Sequence, residues 1–137
     1  MKPIYKNTLA VIVGLLIGGI VNMGLIMVSG SVIPPPEGVD PANMESLKEN
    51  IHLFEAKHFI FPFLAHALGT LAGAFLAARI AASHQFSFAL GIGTLFLLGG
   101  ITNAYLLPAP TWFIALDLLL AYLPMGWLGS RLAAGSE

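Results

Sequence analysis

Hydrophobic residues along this chain fall into four long runs, at about residues 8–29, 59–82, 86–107 and 111–133. Each run is continuous rather than alternating, and each is rich in Ala, Leu and Gly. A bilayer-spanning helix needs about 20 mostly apolar residues at a rise of about 1.5 Å each. Membrane β-strands would alternate apolar and polar positions instead. The pattern therefore predicts an all-α integral membrane protein, a single four-helix membrane domain over residues 1–137. Lys2 and Lys6 precede the first run as they would in a signal peptide. The run is longer than a signal's apolar core, however, and no A-x-A site closes it. A retained first helix is expected.

The polar stretch 30–58 has its own pattern. SVIPPPEG opens it, and three consecutive prolines favour a stiff polyproline II course. Beyond it, Asp40 is placed to cap a helix and Pro41 to occupy its first position. Met44, Leu47, Ile51, Phe54 and His58 then recur at helical spacing, with Glu45, Glu49 and His52 on the other face. This predicts a short amphipathic helix lying on the membrane surface with its apolar face down. The other connections are brief, Ser83-His84-Gln85 and Pro108-Ala109-Pro110, so the helices they join are expected to pack as antiparallel neighbours.

Two internal matches stand out. LIGGIVN at 16–22 matches LLGGITN at 97–103, and ARIAA at 78–82 matches SRLAA at 130–134. They relate span one to span three and span two to span four. The reading is a pair of helical hairpins repeated in parallel, with a pseudo-two-fold axis along the membrane normal. Glycines explain half of the match. Helices in lipid associate by close packing, which small residues permit. Gly14 and Gly18, Gly69 and Gly73, and Gly126 and Ser130 are all spaced to make such seams.

Composition sharpens this picture. Only 9% of the 137 residues are charged, well under the roughly 25% of ordinary soluble domains. No cysteine is present, so disulfides, thiol catalysis and thiolate metal sites are excluded. A net charge of −1 leaves no nucleic-acid footprint. Lys2, Lys6, Arg79 and Arg131 gather at one set of helix ends, whereas the 30–58 loop is acidic. Basic residues prefer the cytoplasm. Both termini are thus expected in the cytoplasm and the loop outside, in a bacterial inner membrane. Tyr5 and Trp127 would mark the inner interface, Tyr105 and Trp112 the outer.

The candidate chemistry lies inside the runs. Asn22, His66, Asn103 and Asp117 each fall on a different span, roughly 8–12 Å below its outer end at the helical rise. Asp117 is the only acid within a span. Burying it costs about 2.5–3.5 kcal/mol on insertion scales, so it needs a partner or water. His66 is the natural partner, and Thr70 follows it by one turn. Pro124 is placed to kink the fourth span and free a carbonyl; Tyr122 reads as packing. In the loop, His58 and Glu55 lie above His66 and Asp117. Together these four form a possible divalent-metal set, although the HExxH pattern is absent and no cofactor is otherwise evident.

Three functions fit this inventory. The first is a proton- or cation-linked permease or channel, with Asp117, His66, Asn22, Asn103 and Thr70 as binding or relay residues. Four helices give a thin pathway, so a homo-oligomer or larger membrane complex is expected. The second is a structural or accessory subunit whose polar residues tether helices. The third is a metal-dependent membrane enzyme using His58, His66, Asp117 and Glu55.

Overall fold

The computed structural model describes residues 1–136, which form helices and turns with no strand among them. Helix α1 spans Pro3–Val32 and α2 spans Met44–Asn50. Two short 3-10 turns, Ile51–Leu53 and Ala56–Phe59, lead into α3 at Ile60–Ile80. Helix α4 covers Gln85–Leu106, and the last run is divided into α5 (Thr111–Leu120) and α6 (Leu123–Gly135). Four helical segments are long and apolar enough to cross a membrane: Pro3–Val32, Ala56–Ile80, Gln85–Leu106 and Thr111–Gly135. Each corresponds to one predicted run.

Helix α3 is the centre of the bundle and packs on α1, α4 and α6. Its residues explain why. Gly69 faces the backbone of Gly18, and Gly73 faces that of Gly14, so closely that no Cβ would fit at either position. Gly129 of α6 presses in the same way on Leu71, Ala74 and Phe75. Gly93 and Gly126 bring α4 and α6 together. The innermost side chains are mostly small, Ala74, Ala77, Ala78, Ala89 and Ala133, around Ile92. Bulky residues such as Ile12, Leu16, Ile20 and Met27 point outward. Small residues inside and large apolar ones outside is an arrangement favoured by lipid rather than water, consistent with an integral membrane protein.

The two matched Gly-Gly-x-x-Asn stretches pack differently. In α1 the first glycine, Gly18, is in the seam and Gly19 faces open space. In α4 the first, Gly99, is open, and Gly100 lies under the ring of Tyr122.

Two expectations need correction. The loop does not hold one continuous amphipathic helix. Asp40 does not cap it; its carboxylate accepts the Ala42 N–H in a local turn, 3.0 Å away. The cap is Asn43, whose side chain accepts from the N–H groups of Glu45 and Ser46. After two turns Asn50 folds its amide back onto the Ser46 carbonyl, 2.8 Å away, and α2 ends. Phe54 and Glu55 are extended before the next turn starts. The fourth span also breaks at Ala121–Tyr122, ahead of Pro124 rather than at it. Proline at the second position of α6 has no N–H for the preceding turn and its ring crowds that turn's carbonyl. The helix therefore restarts instead of bending through.

Candidate functional site: a cavity beneath the loop

A cavity of about 570 Å³ lies at the loop end of the bundle. Helices α1, α3, α4 and α5 wall it, and the 33–59 segment covers it. All five apolar-face residues of the loop, Met44, Leu47, Ile51, Phe54 and His58, border this cavity although the helix between them is broken. Face assignment outlasted continuity because each short turn keeps its greasy side toward the same apolar space. Ile51 and Phe59 pack with Phe113 of α5 and close the lid on that side.

Every predicted binding or relay residue borders the cavity: Asn22, His66, Thr70, Asn103 and Asp117. Within that set, His66 and Asp117 are in direct contact. His66 Nδ1 lies 2.8 Å from Asp117 Oδ1, linking α3 to α5. Asp117 is 5% exposed, and its second oxygen accepts a hydrogen bond from the Tyr122 hydroxyl at 3.1 Å. Both carboxylate oxygens are therefore occupied. The Tyr122 ring also lies over the imidazole, with centroids 5.8 Å apart and planes 26° from parallel. Thr70 is buried and donates its hydroxyl to the His66 carbonyl at 2.7 Å. It braces the helix and does not reach the carboxylate.

Tyr122 is the site residue that the sequence reading took for packing. The break at Ala121–Tyr122 turns its ring away from a regular helical position and onto Gly100. The available signal was a tyrosine five residues after an intramembrane acid and two before a proline. Only the broken helix turns that spacing into a contact.

The asparagines behave differently from the histidine–aspartate pair. Among the described residues, neither Asn22 nor Asn103 makes a side-chain hydrogen bond, and His66 Nε2 has no partner. Among the described residues no buried side-chain nitrogen or oxygen is left unsatisfied, so these three groups are open to the cavity rather than sealed off. A helix-tethering asparagine would be paired across a seam. These two are not.

The suggested metal set does not converge. His58 Nδ1 accepts the Glu55 N–H at 2.8 Å, while its Nε2 lies 3.1 Å from the Pro34 carbonyl and donates there. The Glu55 side chain in turn caps the His58 N–H and meets Lys57 at 3.4 Å. His58 thus spends both ring nitrogens inside the loop. Among the described residues no three His, Asp or Glu side chains group as metal ligands.

With Asp117 on one side of its ring, His66 can act as a hydrogen-bond acceptor on the other. A carboxylate accepting from Nδ1–H fixes the tautomer and leaves the Nε2 lone pair toward the cavity. The chain matches no protein-family description, no curated protein and no solved structure, so the cavity itself is the guide to function.

Proposed function

We propose that this protein is a small proton-linked permease of the bacterial inner membrane. Its termini lie in the cytoplasm and its loop on the outer side, with the cavity beneath that loop in the outer half of the bundle. Lys2, Lys6, Arg79 and Arg131 at the termini end support this orientation. One observation carries the functional reading. Three uncommitted hydrogen-bonding groups, from Asn22, Asn103 and His66, share a cavity with a buried acid that is itself fully paired. The asparagines bind a solute and the His66–Asp117 pair takes up or passes on its proton. The two repeated hairpins each contribute one asparagine, which fits a duplicated transport unit. A homo-oligomer or larger complex completes the pathway that four helices alone leave thin.

The test is flux. Purified protein is reconstituted in vesicles holding a pH-sensitive dye, an inward proton gradient is imposed, and candidate solutes are added singly. Wild-type vesicles acidify in a solute-dependent way, and folded Asp117→Asn vesicles do not.

A second reading has its own observation. The His66–Asp117–Tyr122 network joins α3 to the α5–α6 break and leaves none of the carboxylate unpaired. That suits a structural or accessory subunit. On this reading, no solute moves protons, and Asp117→Asn changes only stability. A metal-dependent enzyme has less to recommend it, because His58 and Glu55 are paired with each other.

A further inference from the structure

The cavity has a chemical character beyond its one ion-pairing acid. Most of its wall is hydrocarbon, including Met23, Ile26, Phe96, Phe113 and Leu118. The groups left free for a ligand are two carboxamides and one imidazole nitrogen. Asp117 has both oxygens engaged, and Lys57 at the loop edge sits beside Glu55. A site built this way rewards a molecule whose polar end forms hydrogen bonds and whose remainder is apolar. It gives a free ion no unpaired counter-charge.

The bundle also has a seam that opens toward the loop end. Helices α1 and α4 touch where Gly14 meets Ile92 and Gly18 meets Phe96. Beyond that level, α1 from Asn22 to Gly30 and α4 from Gly99 to Ala104 border the cavity. Their contact is slight compared with the seam between α1 and α3. The space beside Gly30 and Gly99 is empty of neighbouring atoms. Neither α5 nor α6 packs on α1 to close this side.

We infer that the cavity takes a neutral, mainly apolar molecule bearing a hydroxyl at one end, and that it enters sideways from the bilayer between α1 and α4. The inference rests on the permease reading for its membrane and its cavity, and adds the ligand's class and route. The apolar tail trails through the gap past Met23 and Gly99, while the hydroxyl donates to His66 Nε2 and its oxygen accepts from the Asn22 and Asn103 carboxamides. A water-soluble solute would instead have to cross the lid, where Ile51, Phe59 and Phe113 pack.

Photolabelling tests this directly. The protein is reconstituted in phosphatidylcholine vesicles with a long-chain fatty alcohol carrying a diazirine. A short, water-soluble diazirine alcohol is used in parallel, and labelled residues are mapped by mass spectrometry. The expected result is long-chain labelling at Phe96 and Leu118, competed by unlabelled fatty alcohol. Labelling should fall about tenfold in the Asn22→Ala, Asn103→Ala double variant, the equivalent of one lost hydrogen bond. Neither carboxamide bonds to another part of the protein, and alanine keeps the Asn22 Cβ that packs beside Gly69, so the fold should be unaffected. Gly99→Phe should slow cavity labelling by the long-chain probe by filling the gap. Label confined to outward residues such as Leu16 and Met27, without competition, overturns the inference. So does cavity labelling by the short probe alone, which would indicate an aqueous route. Proton flux in the dye-loaded vesicles is scored separately, so a permease for water-soluble solutes would survive either result.

Discussion

The imidazole of His66 and the carboxylate of Asp117 meet at 2.8 Å from positions 51 residues apart. This contact ties the central helix to the long apolar segment that breaks at Ala121–Tyr122. It closes the loop end of the bundle on one side and leaves His66 Nε2 facing the cavity. Removing Asp117 would leave both His66 Nδ1 and the Tyr122 hydroxyl without their acceptor. Asp117→Ala should therefore lower stability by about 2–3 kcal/mol, the cost of orphaned polar groups. His66→Ala should cost less, because Tyr122 still satisfies one carboxylate oxygen. Thermal unfolding in mild detergent of both single variants and the double should give a coupling of about 1 kcal/mol, within the range of interhelical hydrogen bonds in membranes. Additive losses would mean that the pair contributes no interaction energy.

Tyr122→Phe isolates the second arm of the network. It removes only the hydroxyl and keeps the ring against Gly100. A loss of about 0.5–1.5 kcal/mol is expected. Gly100→Ala should cost more, since its methyl group would run into the ring rather than into space. If Gly100→Ala melts like the wild type, the Tyr122 ring does not occupy this position.

Much of this arrangement was legible in the sequence, and the reasons are physical. The four long helices were readable because each is an unbroken apolar run of the length a bilayer crossing would require. The pairing of His66 with Asp117 was readable because an intramembrane acid needs a partner and only one imidazole lay at its depth. Tyr122 was not readable, because its role depends on a chain break that helical periodicity does not encode. The loop misled for a related reason. Met44, Leu47, Ile51, Phe54 and His58 share an apolar side, but Asn50 folds back on Ser46 and Glu55 begins a new cap. Local side-chain-to-backbone bonds competed with the helix and won. Similarly, two identical Gly-Gly-x-x-Asn patterns gave no hint that opposite glycines of each pair would be buried.

Seam glycines should separate sharply from open ones. A Cβ on Gly73 would lie 2.5 Å from the Gly14 carbonyl oxygen, a backbone atom that cannot swing aside. Gly73→Ala should force α1 from α3 and cost about 1–3 kcal/mol. Gly19, one position beyond the seam, meets no atom within 4 Å, so Gly19→Ala should stay within about 0.5 kcal/mol of wild type. Equal effects from both substitutions would contradict the α1–α3 seam.

His58 fastens the lid from two directions, accepting from Glu55 and donating to Pro34. His58→Ala releases both bonds and leaves the α2-to-α3 connection attached mainly through Ile51 and Phe59. Limited trypsin digestion at Lys48 and Lys57 should then proceed several-fold faster, as expected when local opening becomes easier by about 1 kcal/mol. Cleavage elsewhere in the chain should be unchanged. Uniform acceleration at all sites would point to global destabilisation instead of a loosened lid.

Orientation can be read with the chain's own lack of cysteine, since any introduced thiol is the only one present. Glu37 lies in the loop beyond α1, and His84 lies in the turn at the opposite end, between α3 and α4. In the proposed orientation that turn lies in the cytoplasm. Glu37→Cys in intact cells should therefore react with a membrane-impermeant maleimide, while His84→Cys reacts only after the cells are opened. His84 already holds a left-handed φ of 54° as a non-glycine residue, so a cysteine brings no Cβ that was not there before, and neither substituted site takes part in the His66–Asp117 network, so folding should be preserved. The reverse labelling pattern would place the cavity on the cytoplasmic side. A permease would then load from inside the cell, and the proton-gradient experiment would have to be run with its direction inverted.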